Sequence, residues 1–253
     1  MAYIKMTGLK LPDDGVTVWR YMDLSKFKSI LITSGLHFAR ADSFSDKCDS
    51  VLPRKWLKIM QQPMYDGSEV TLADWYKKRE IPTNPILCWN CDKNENAQMW
   101  REYVERSNGL VIRSTVGRLK RCFSSTSVEV RIGKVNYGYH DDLDDPEFVC
   151  AYFGDDAPAP KLNVWYVSRY IKRTIFDYEK EIRASIHVPR EDQPIEKGYI
   201  LVIGSSGIRT LIESIRMHPN ATMNQRNLVK SLLDQYGYCD IPVQSSTLKW
   251  RSK

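Results

Sequence analysis

The sequence predicts a single domain of the α+β class, and three observations lead to this prediction. Strand-like and helix-like segments follow one another over 253 residues without an internal repeat. Both helices and hairpin-like turns separate the strands, which indicates a sheet of mixed or antiparallel strands. Hydrophobic residues make up 42% of the chain, and no segment is apolar over the length of a membrane span. One core with insertions is therefore expected.

The first half of the chain predicts four strands and two helices. Asp23 is placed to cap an amphipathic helix, and Gly35 to end it. The apolar residues between them have helical spacing: Leu24, Phe27, Ile30 and Leu31. A second helix is expected at 94–104. Strands are expected at 15–21, 36–40, 86–90 and 110–113.

The second half combines strands, helices and surface segments. A long alternating strand is expected at 128–137 and a fully apolar strand at 199–203. Helices are expected at about 162–177, 207–217 and 224–236. Around the core of this single domain, 1–253, we expect three additions: a helical insertion at about 51–80, an acidic surface excursion at about 140–160 and a C-terminal helical part at about 207–253.

The chain is basic, with a formal net charge of +6. The basic residues gather in clusters at 77–79, 118–121, 169–173 and 249–253. Such clusters suit a polyanionic partner such as nucleic acid, and a generally solvated surface explains them equally well. Because the N-terminus lacks the apolar run of a signal peptide, we expect a cytoplasmic protein that does not associate with membranes.

The six cysteines are expected to be reduced thiols rather than a disulfide framework. Cys88 and Cys91 form a CxxC pair, but no second CxxC and no spaced histidine pair completes a zinc-binding set. No metal site is therefore predicted. A redox role for the pair stays open.

The stretch FDYEKEIRASIH, 176–187, has the alternation of a strand with one apolar and one polar face. Glu179, Glu181 and Arg183 follow one another on the polar face, with the two carboxylates about 7 Å apart at the rise of a strand. Neighbouring carboxylates in a cleft suit a reaction that builds positive charge on a sugar carbon. The alternative is that this is an exposed edge strand whose polar face is only solvated.

Four motifs in a fixed order resemble an uncharacterised bacterial and phage domain family. They are Trp19-Arg20-Tyr21, the segment LHFARADSFSD at 36–46, Met99-Trp100-x-x-Tyr103 and Tyr178-Glu-Lys-Glu-Ile-Arg183. The resemblance covers roughly residues 16–215. The loop departs from the family's Phe-Asn-Asp-Pro pattern, because it reads Phe44-Ser-Asp46-Lys and has no proline.

The same layout is more distantly similar to ADP-ribosyltransferases, particularly the DarT type that modifies DNA. This resemblance implies a sheet core of the ADP-ribosyltransferase type, with NAD as the substrate. It implies that Glu181 is the catalytic glutamate, with Glu179 completing a Glu-x-Glu pair, and that Arg20 is the first-strand residue that grips NAD. The other NAD-binding candidates are Tyr21, Arg40, Ser43, Phe44, Trp100, Tyr103 and Arg183. Among these, arginines would neutralise the pyrophosphate and aromatic rings would stack on nicotinamide or adenine.

We therefore expect an NAD-dependent ADP-ribosyltransferase of toxin or phage-defence type that modifies nucleic acid, either RNA or DNA. The candidate nucleic-acid contacts are Arg169, Lys172, Arg173, Lys77 and Lys78, with Trp165 and Tyr170 for base stacking. An antitoxin protein is a candidate partner. Two alternatives stay open: a nucleic-acid-binding module or nuclease that does not use NAD, and a non-catalytic interaction component of a defence or toxin–antitoxin operon.

Overall fold

A computed structural model of the chain describes residues 2–5, 10–46, 49–50, 71–75, 78, 81–104, 108–138, 168–188 and 198–248. The largest element is a ten-stranded sheet in which most neighbouring strands are antiparallel. Helices accompany this sheet, so the predicted α+β class with a mixed sheet is confirmed. Within the described ranges, no helix has the length and apolar character needed to cross a membrane.

The described strands are β1 (Tyr3–Ile4), β2 (Thr17–Met22), β3 (Gly35–Ala39), β4 (Ile86–Asn90), β5 (Leu110–Thr115), β6 (Val130–Lys134), β7 (Asn136–Gly138), β8 (Ile171–Arg173), β9 (Glu181–Ile186), β10 (Gly198–Val202), β11 (Ser214–Met217) and β12 (Val243–Gln244). The described helices are α1 (Leu24–Thr33), α2 (Leu72–Trp75), α3 (Ile81–Thr83), α4 (Ala97–Tyr103), α5 (Val116–Arg121), α6 (Gly204–Leu211) and α7 (Met223–Gln235). Short 3-10 turns lie at Ala41–Ser43, Ser168–Tyr170 and Thr174–Glu179.

A gap opens beside strand β4 in the middle of the main sheet, whose strand order is β1-β6-β9-β4-β2-β5-β11-β12. β4 pairs with β9 along its whole length. On its other edge it meets β2 only where Trp19 pairs with Asn90, and β3 only where Ala39 pairs with Ile86. β3 continues the sheet on this side by pairing with β10. Because β2 and β3 diverge between these two contacts, side chains can reach across the sheet at this point.

Strand β9 lies inside the sheet, between β6 and β4, and all six of its residues are buried. The alternative that this stretch is an exposed edge strand is therefore wrong. The strand begins at Glu181, because Glu179 ends a 3-10 turn and Lys180 adopts the left-handed conformation with φ of 41°. The two glutamates are thus not successive residues of one strand face, as the alternation predicted.

Other predicted boundaries differ where long-range pairing overrides the local pattern. The strand expected at 128–137 is divided into β6 and β7, which belong to different sheets. The end of the helix expected at 207–217 is strand β11, because it pairs with β5 and β12. The described part of 162–177 consists of 3-10 turns and strand β8 rather than a helix. The acidic excursion at 140–160 and residues 51–70 of the helical insertion lie outside the described residues.

The two faces of β2 contribute to two different cores, and this arrangement positions the site. Val18 and Met22 belong to the larger core, together with buried side chains of α1, α6 and α7. Trp19 and Tyr21 belong to a smaller core that contains Met99 and Trp100 of α4. Helix α4 therefore packs on the face of β2 that carries Trp19 and Tyr21.

Candidate active site

A cavity of about 560 Å³ lies at the gap between β2, β3 and β4. Its walls come from these strands, from α1 and from the 3-10 turn before β9. Seven of the predicted site residues line it: Arg20, Tyr21, Phe44, Tyr103, Lys172, Glu179 and Glu181. The structure therefore brings the first-strand arginine and both glutamates to one cavity, although 159 positions separate Arg20 from Glu179 in the sequence.

Arg20 reaches across the gap in the sheet. Its Nη1 donates to the carbonyl of Cys88 in β4 and its Nη2 to the carbonyl of His37 in β3, both at 3.5 Å, which is long for a hydrogen bond. Burial lowers the pKa of Arg20 to about 10, so the guanidinium stays charged at neutral pH. Among the described residues no carboxylate pairs with it. The cavity therefore contains a cation that is available to an anionic ligand.

Glu181 is held by two cations inside the protein. The guanidinium of Arg183 donates from Nε and Nη2 to the two carboxylate oxygens, at 2.9 and 3.0 Å. Lys172 lies 3.5 Å from Oε2 of the same carboxylate. Burial by itself raises the pKa of Glu181, but Arg183 and Lys172 outweigh it and lower the pKa to about 2. Glu181 is therefore ionised at neutral pH.

Glu179 lies in a different electrostatic environment, although Lys172 also binds it, at 2.5 Å. Burial and the neighbouring Glu181 carboxylate raise the pKa of Glu179, against the opposite effect of Lys172. Tyr103 donates a hydrogen bond of 2.7 Å to Oε1 of Glu179. Of the two carboxylates, Glu181 is thus held in its charged form, whereas Glu179 takes up a proton more readily than an ordinary carboxylate.

Tyr103 owes its position to helix α4 and the cap of that helix. The side chain of Asn96 accepts hydrogen bonds from the backbone of Gln98 and Met99, at 2.8 and 3.4 Å, and so begins the helix. The backbone N–H of Asn96 donates to the hydroxyl of Tyr21, at 2.8 Å. Burial, followed by the Glu179 carboxylate, raises the pKa of Tyr103, so its hydroxyl remains a donor.

Asp49 completes the buried cluster around the two glutamates and, like them, lines the cavity. Its carboxylate accepts from Nη1 and Nη2 of Arg183, at 2.8 and 2.7 Å, and lies 3.5 Å from Lys172. The cluster therefore contains three carboxylates and two cations. The excess negative charge is consistent with the raised pKa of Glu179.

Four of the predicted NAD-binding residues do not line the cavity. Arg183 is completely buried and its donors are taken by carboxylates and by a carbonyl, so it does not fit the predicted pyrophosphate contact. Trp100 is buried in the smaller core, where it packs edge-on against Tyr21, and it offers no face for stacking. Arg40 pairs with Asp42 at 2.6 Å, and the hydroxyl of Ser43 donates to the carbonyl of Arg40.

The basic cluster at 169–173 lies mostly inside the protein rather than on its surface. Arg169 is 2% exposed, Tyr170 is completely buried and Lys172 belongs to the carboxylate cluster. These placements correct the prediction that the residues contact phosphates or bases, because they lack exposed surface. Arg173 is partly exposed and pairs with Asp46 at 2.6 Å. Lys78 is exposed, whereas Lys77 and Trp165 lie outside the described residues.

Several residues of the site were not predicted from the sequence. Lys26 of α1 lines the cavity and is exposed, Cys88 and Asn90 project from β4, and Asp49 supports the cluster. Asn90 had a signal in the sequence, since it is a polar residue ending a strand of otherwise apolar character. Burial raises the pKa of Cys88 and of Cys91, which disfavours the reactive thiolate of a redox pair.

The similarity of this chain to known proteins lies among solved structures. No family model matches the chain, and no curated protein matches it. Among solved structures, the chain is similar to Thermus sp. 2.9 DarT in complex with ADP-ribosylated ssDNA and in complex with NAD+. Each of these two matches has 12% sequence identity and a TM-score of 0.38, and covers 95% of this chain and 98% of that chain. The same protein in complex with carba-NAD+ gives 13% identity and a TM-score of 0.38.

Proposed function

We propose that this protein is an NAD-dependent ADP-ribosyltransferase, which releases nicotinamide from NAD and transfers ADP-ribose to an acceptor. The observation that carries the proposal is that Arg20, Glu179 and Glu181 line one cavity of about 560 Å³. The pyrophosphate of NAD requires a cation, and Arg20 has no carboxylate partner among the described residues. The positive charge that develops on the sugar requires an ionised carboxylate, which Glu181 supplies. The resemblance of the motif order to ADP-ribosyltransferases agrees with this reading.

The first chemical step is cleavage of the bond between C1′ of the ribose and the nicotinamide nitrogen. The bonding electron pair leaves with nicotinamide, and positive charge develops on the ribose carbon. Glu181 stabilises that charge, because Arg183 and Lys172 keep its carboxylate ionised. Arg20 at the gap and Lys26 of α1 provide positive charge for the pyrophosphate.

The second step is attack of the acceptor on C1′, with loss of one proton from the attacking group. Glu179 is the residue placed to accept this proton. Its raised pKa makes it a better base than an ordinary carboxylate, and Tyr103 fixes its orientation. With water as the attacking group, the same step gives hydrolysis of NAD to ADP-ribose.

The acceptor remains a prediction, and nucleic acid is the class we favour. The support is the net charge of +6 and an exposed cation that lines the cavity, Lys26 of α1. Because Arg169 and Lys172 are buried, contacts to phosphate fall to Lys26 and to Arg173. A toxin or phage-defence setting, a cytoplasmic location and an antitoxin partner also remain predictions.

The test is release of nicotinamide from NAD by the purified protein, with and without a mixture of DNA, RNA and cell protein. Arg20→Gln should weaken NAD binding while changing stability little, since Arg20 forms no ion pair with a described residue. Arg113→Gln is the matched control: Arg113 lies on the neighbouring strand β5, pairs with Glu213 and does not line the cavity.

The wild type and Arg113→Gln should release nicotinamide, and Arg20→Gln should need much more NAD to do so. Absence of release from the folded wild type with every acceptor pool would reject the proposal. Steep salt-dependent binding of nucleic acid together with no thermal shift by NAD would instead favour a nucleic-acid-binding module.

A further inference from the structure

Two buried polar atoms of residues that line the cavity have no partner among the described residues, Nε1 of Trp89 and Oδ1 of Asn90. Of these two, Oδ1 of Asn90 is the acceptor. Asn90 ends strand β4, is 2% exposed and lines the cavity. Its Nδ2 donates to the backbone carbonyl of Glu179, at 2.5 Å, whereas its Oδ1 accepts nothing. A buried acceptor without a donor costs free energy, so most buried acceptors in folded proteins have a donor. A bound ligand can supply the donor that the protein itself does not.

The orientation of the Asn90 amide is fixed by its neighbour. The carbonyl of Glu179 can only accept, so the nitrogen of the Asn90 amide must face it and the oxygen must face away. The orphan atom is therefore an acceptor, and the group that completes it must bring an N–H or an O–H. A carboxylate or a phosphate does not qualify, because neither donates at neutral pH.

The position of Asn90 in the sheet places this acceptor beside the reacting centre. Asn90 pairs with Glu181 of β9 on one side and with Trp19 of β2 on the other, so the side chains of these three residues share one face of the sheet. In the proposed reaction, Glu181 faces the ribose carbon that loses nicotinamide. The group attached to that carbon then lies within reach of a neighbouring strand residue.

We infer that Asn90 is a specificity-determining residue whose Oδ1 accepts a hydrogen bond from the primary carboxamide of nicotinamide. This inference rests on the proposed function. The carboxamide is the only N–H donor of the nicotinamide ring, and replacing it with a carboxylate removes that donor and brings a negative charge next to Glu179 and Glu181. The wild-type protein should therefore discriminate between NAD and nicotinic acid adenine dinucleotide, which differ only in this group.

The experiment measures the Kd of three ligands by calorimetry: NAD, nicotinic acid adenine dinucleotide and ADP-ribose. The wild type should bind NAD at least about tenfold more tightly than the acid analogue, the size expected for one hydrogen bond. Asn90→Ala should lose most of this preference, mainly through weaker binding of NAD, and should bind ADP-ribose as the wild type does. Asn90→Ser, whose shorter side chain loses the reach to the carboxamide, provides a second variant in case the alanine variant does not fold.

Asn136 supplies the matched control. It is also 2% exposed, its Oδ1 also has no partner among the described residues, and it lies on β7 without lining the cavity. Asn136→Ala removes a similar buried amide from a residue that does not line the cavity. This variant should therefore keep the preference for NAD.

The outcomes separate this inference from the function on which it rests. If the wild type binds none of the three ligands, the proposed function and this inference both fail. If NAD binds and the folded Asn90 variants keep the full preference over the acid analogue, only this inference is overturned. If the Asn90 variants weaken ADP-ribose as much as NAD, the hydrogen bond goes to a ribose hydroxyl and the carboxamide assignment is wrong.

Discussion

Arg183 binds Glu181 through two parallel hydrogen bonds of 2.9 and 3.0 Å, and its remaining edge binds Asp49 in the same way. All three side chains are buried. One guanidinium thus shares its charge between the proposed catalytic carboxylate and a second carboxylate that also lines the cavity. This relationship makes Glu181 both a catalytic candidate and a structural residue, so the two roles have to be separated by experiment.

Glu181→Gln should lower the turnover of NAD by about 10²–10³-fold, because the amide removes the charge that stabilises the ribose cation. It should also destabilise the fold, by about 3–5 kcal/mol, since Arg183 and Lys172 lose a buried partner. Nicotinamide release and urea unfolding on the same preparations measure the two effects.

Asp49→Asn is the variant that separates these effects. It takes a carboxylate from the same guanidinium and should cost a similar amount of stability. Its effect on turnover should be much smaller, because Glu181 keeps its charge. Equal losses of turnover in the two variants would show that stability, and not charge at the reacting carbon, accounts for the effect of Glu181→Gln.

Tyr103→Phe should shift the acidic limb of the pH–rate profile to higher pH. The Tyr103 hydroxyl donates to Glu179 and lowers the pKa of that carboxyl, so removing the hydroxyl raises a pKa that burial has already raised. If Glu179 must be ionised to accept the proton, activity is then lost at a higher pH than in the wild type. The measurement is kcat/KM for ADP-ribose transfer against pH. An acidic limb at the same pH in both proteins would exclude Glu179 as the base.

The stability of the fold should fall at low pH because of Glu181. Its pKa is lowered from 4.5 to about 2 in the folded protein, so its contribution is present above pH 4.5 and is lost as the pH falls through about 2. Glu179 acts in the opposite sense, because its raised pKa gives a contribution that is lost as the pH rises through the folded value. The difference in free energy of unfolding between the wild type and Glu181→Gln should therefore be largest above pH 4.5 and close towards pH 2. A difference that is constant over this range would contradict the assignment.

Labelled NAD offered with separate pools of DNA, RNA and cell protein should transfer its label to nucleic acid. Lys26→Gln should reduce the slope of log K against log salt by about one, because it removes one phosphate contact near the cavity. Lys230→Gln on α7 is the control, since Lys230 is exposed but does not line this cavity. Label found only in the protein pool would reject nucleic acid as the acceptor and leave the transferase proposal standing.

The elements that the sequence predicted well are those stabilised by local patterns. Phe27, Ile30 and Leu31 have helical spacing, and all three are buried in α1. The apolar segment at 86–90 is strand β4 with the predicted bounds. The spacing of apolar residues predicts which face of a helix or strand is buried. This works because the number of residues per turn of a helix, or per repeat of a strand, does not depend on tertiary contacts.

The sequence by itself determined the α+β class and the presence of a carboxylate pair, but only the tertiary structure decided the state of each charged group. Asp49 meets Arg183 across 134 positions of the chain, and no local pattern announces that contact. The same contact keeps Arg183 away from a ligand, while Lys172 is drawn inside by three carboxylates. Arg20 has no carboxylate partner in the part of the chain that the structure describes, because it emerges where β2 and β3 diverge. The physical reason is that burying a charge costs free energy, and a group of opposite charge or a hydrogen-bond partner must offset this cost. Such a partner can be distant in the sequence, so only the tertiary structure decides which residue it is.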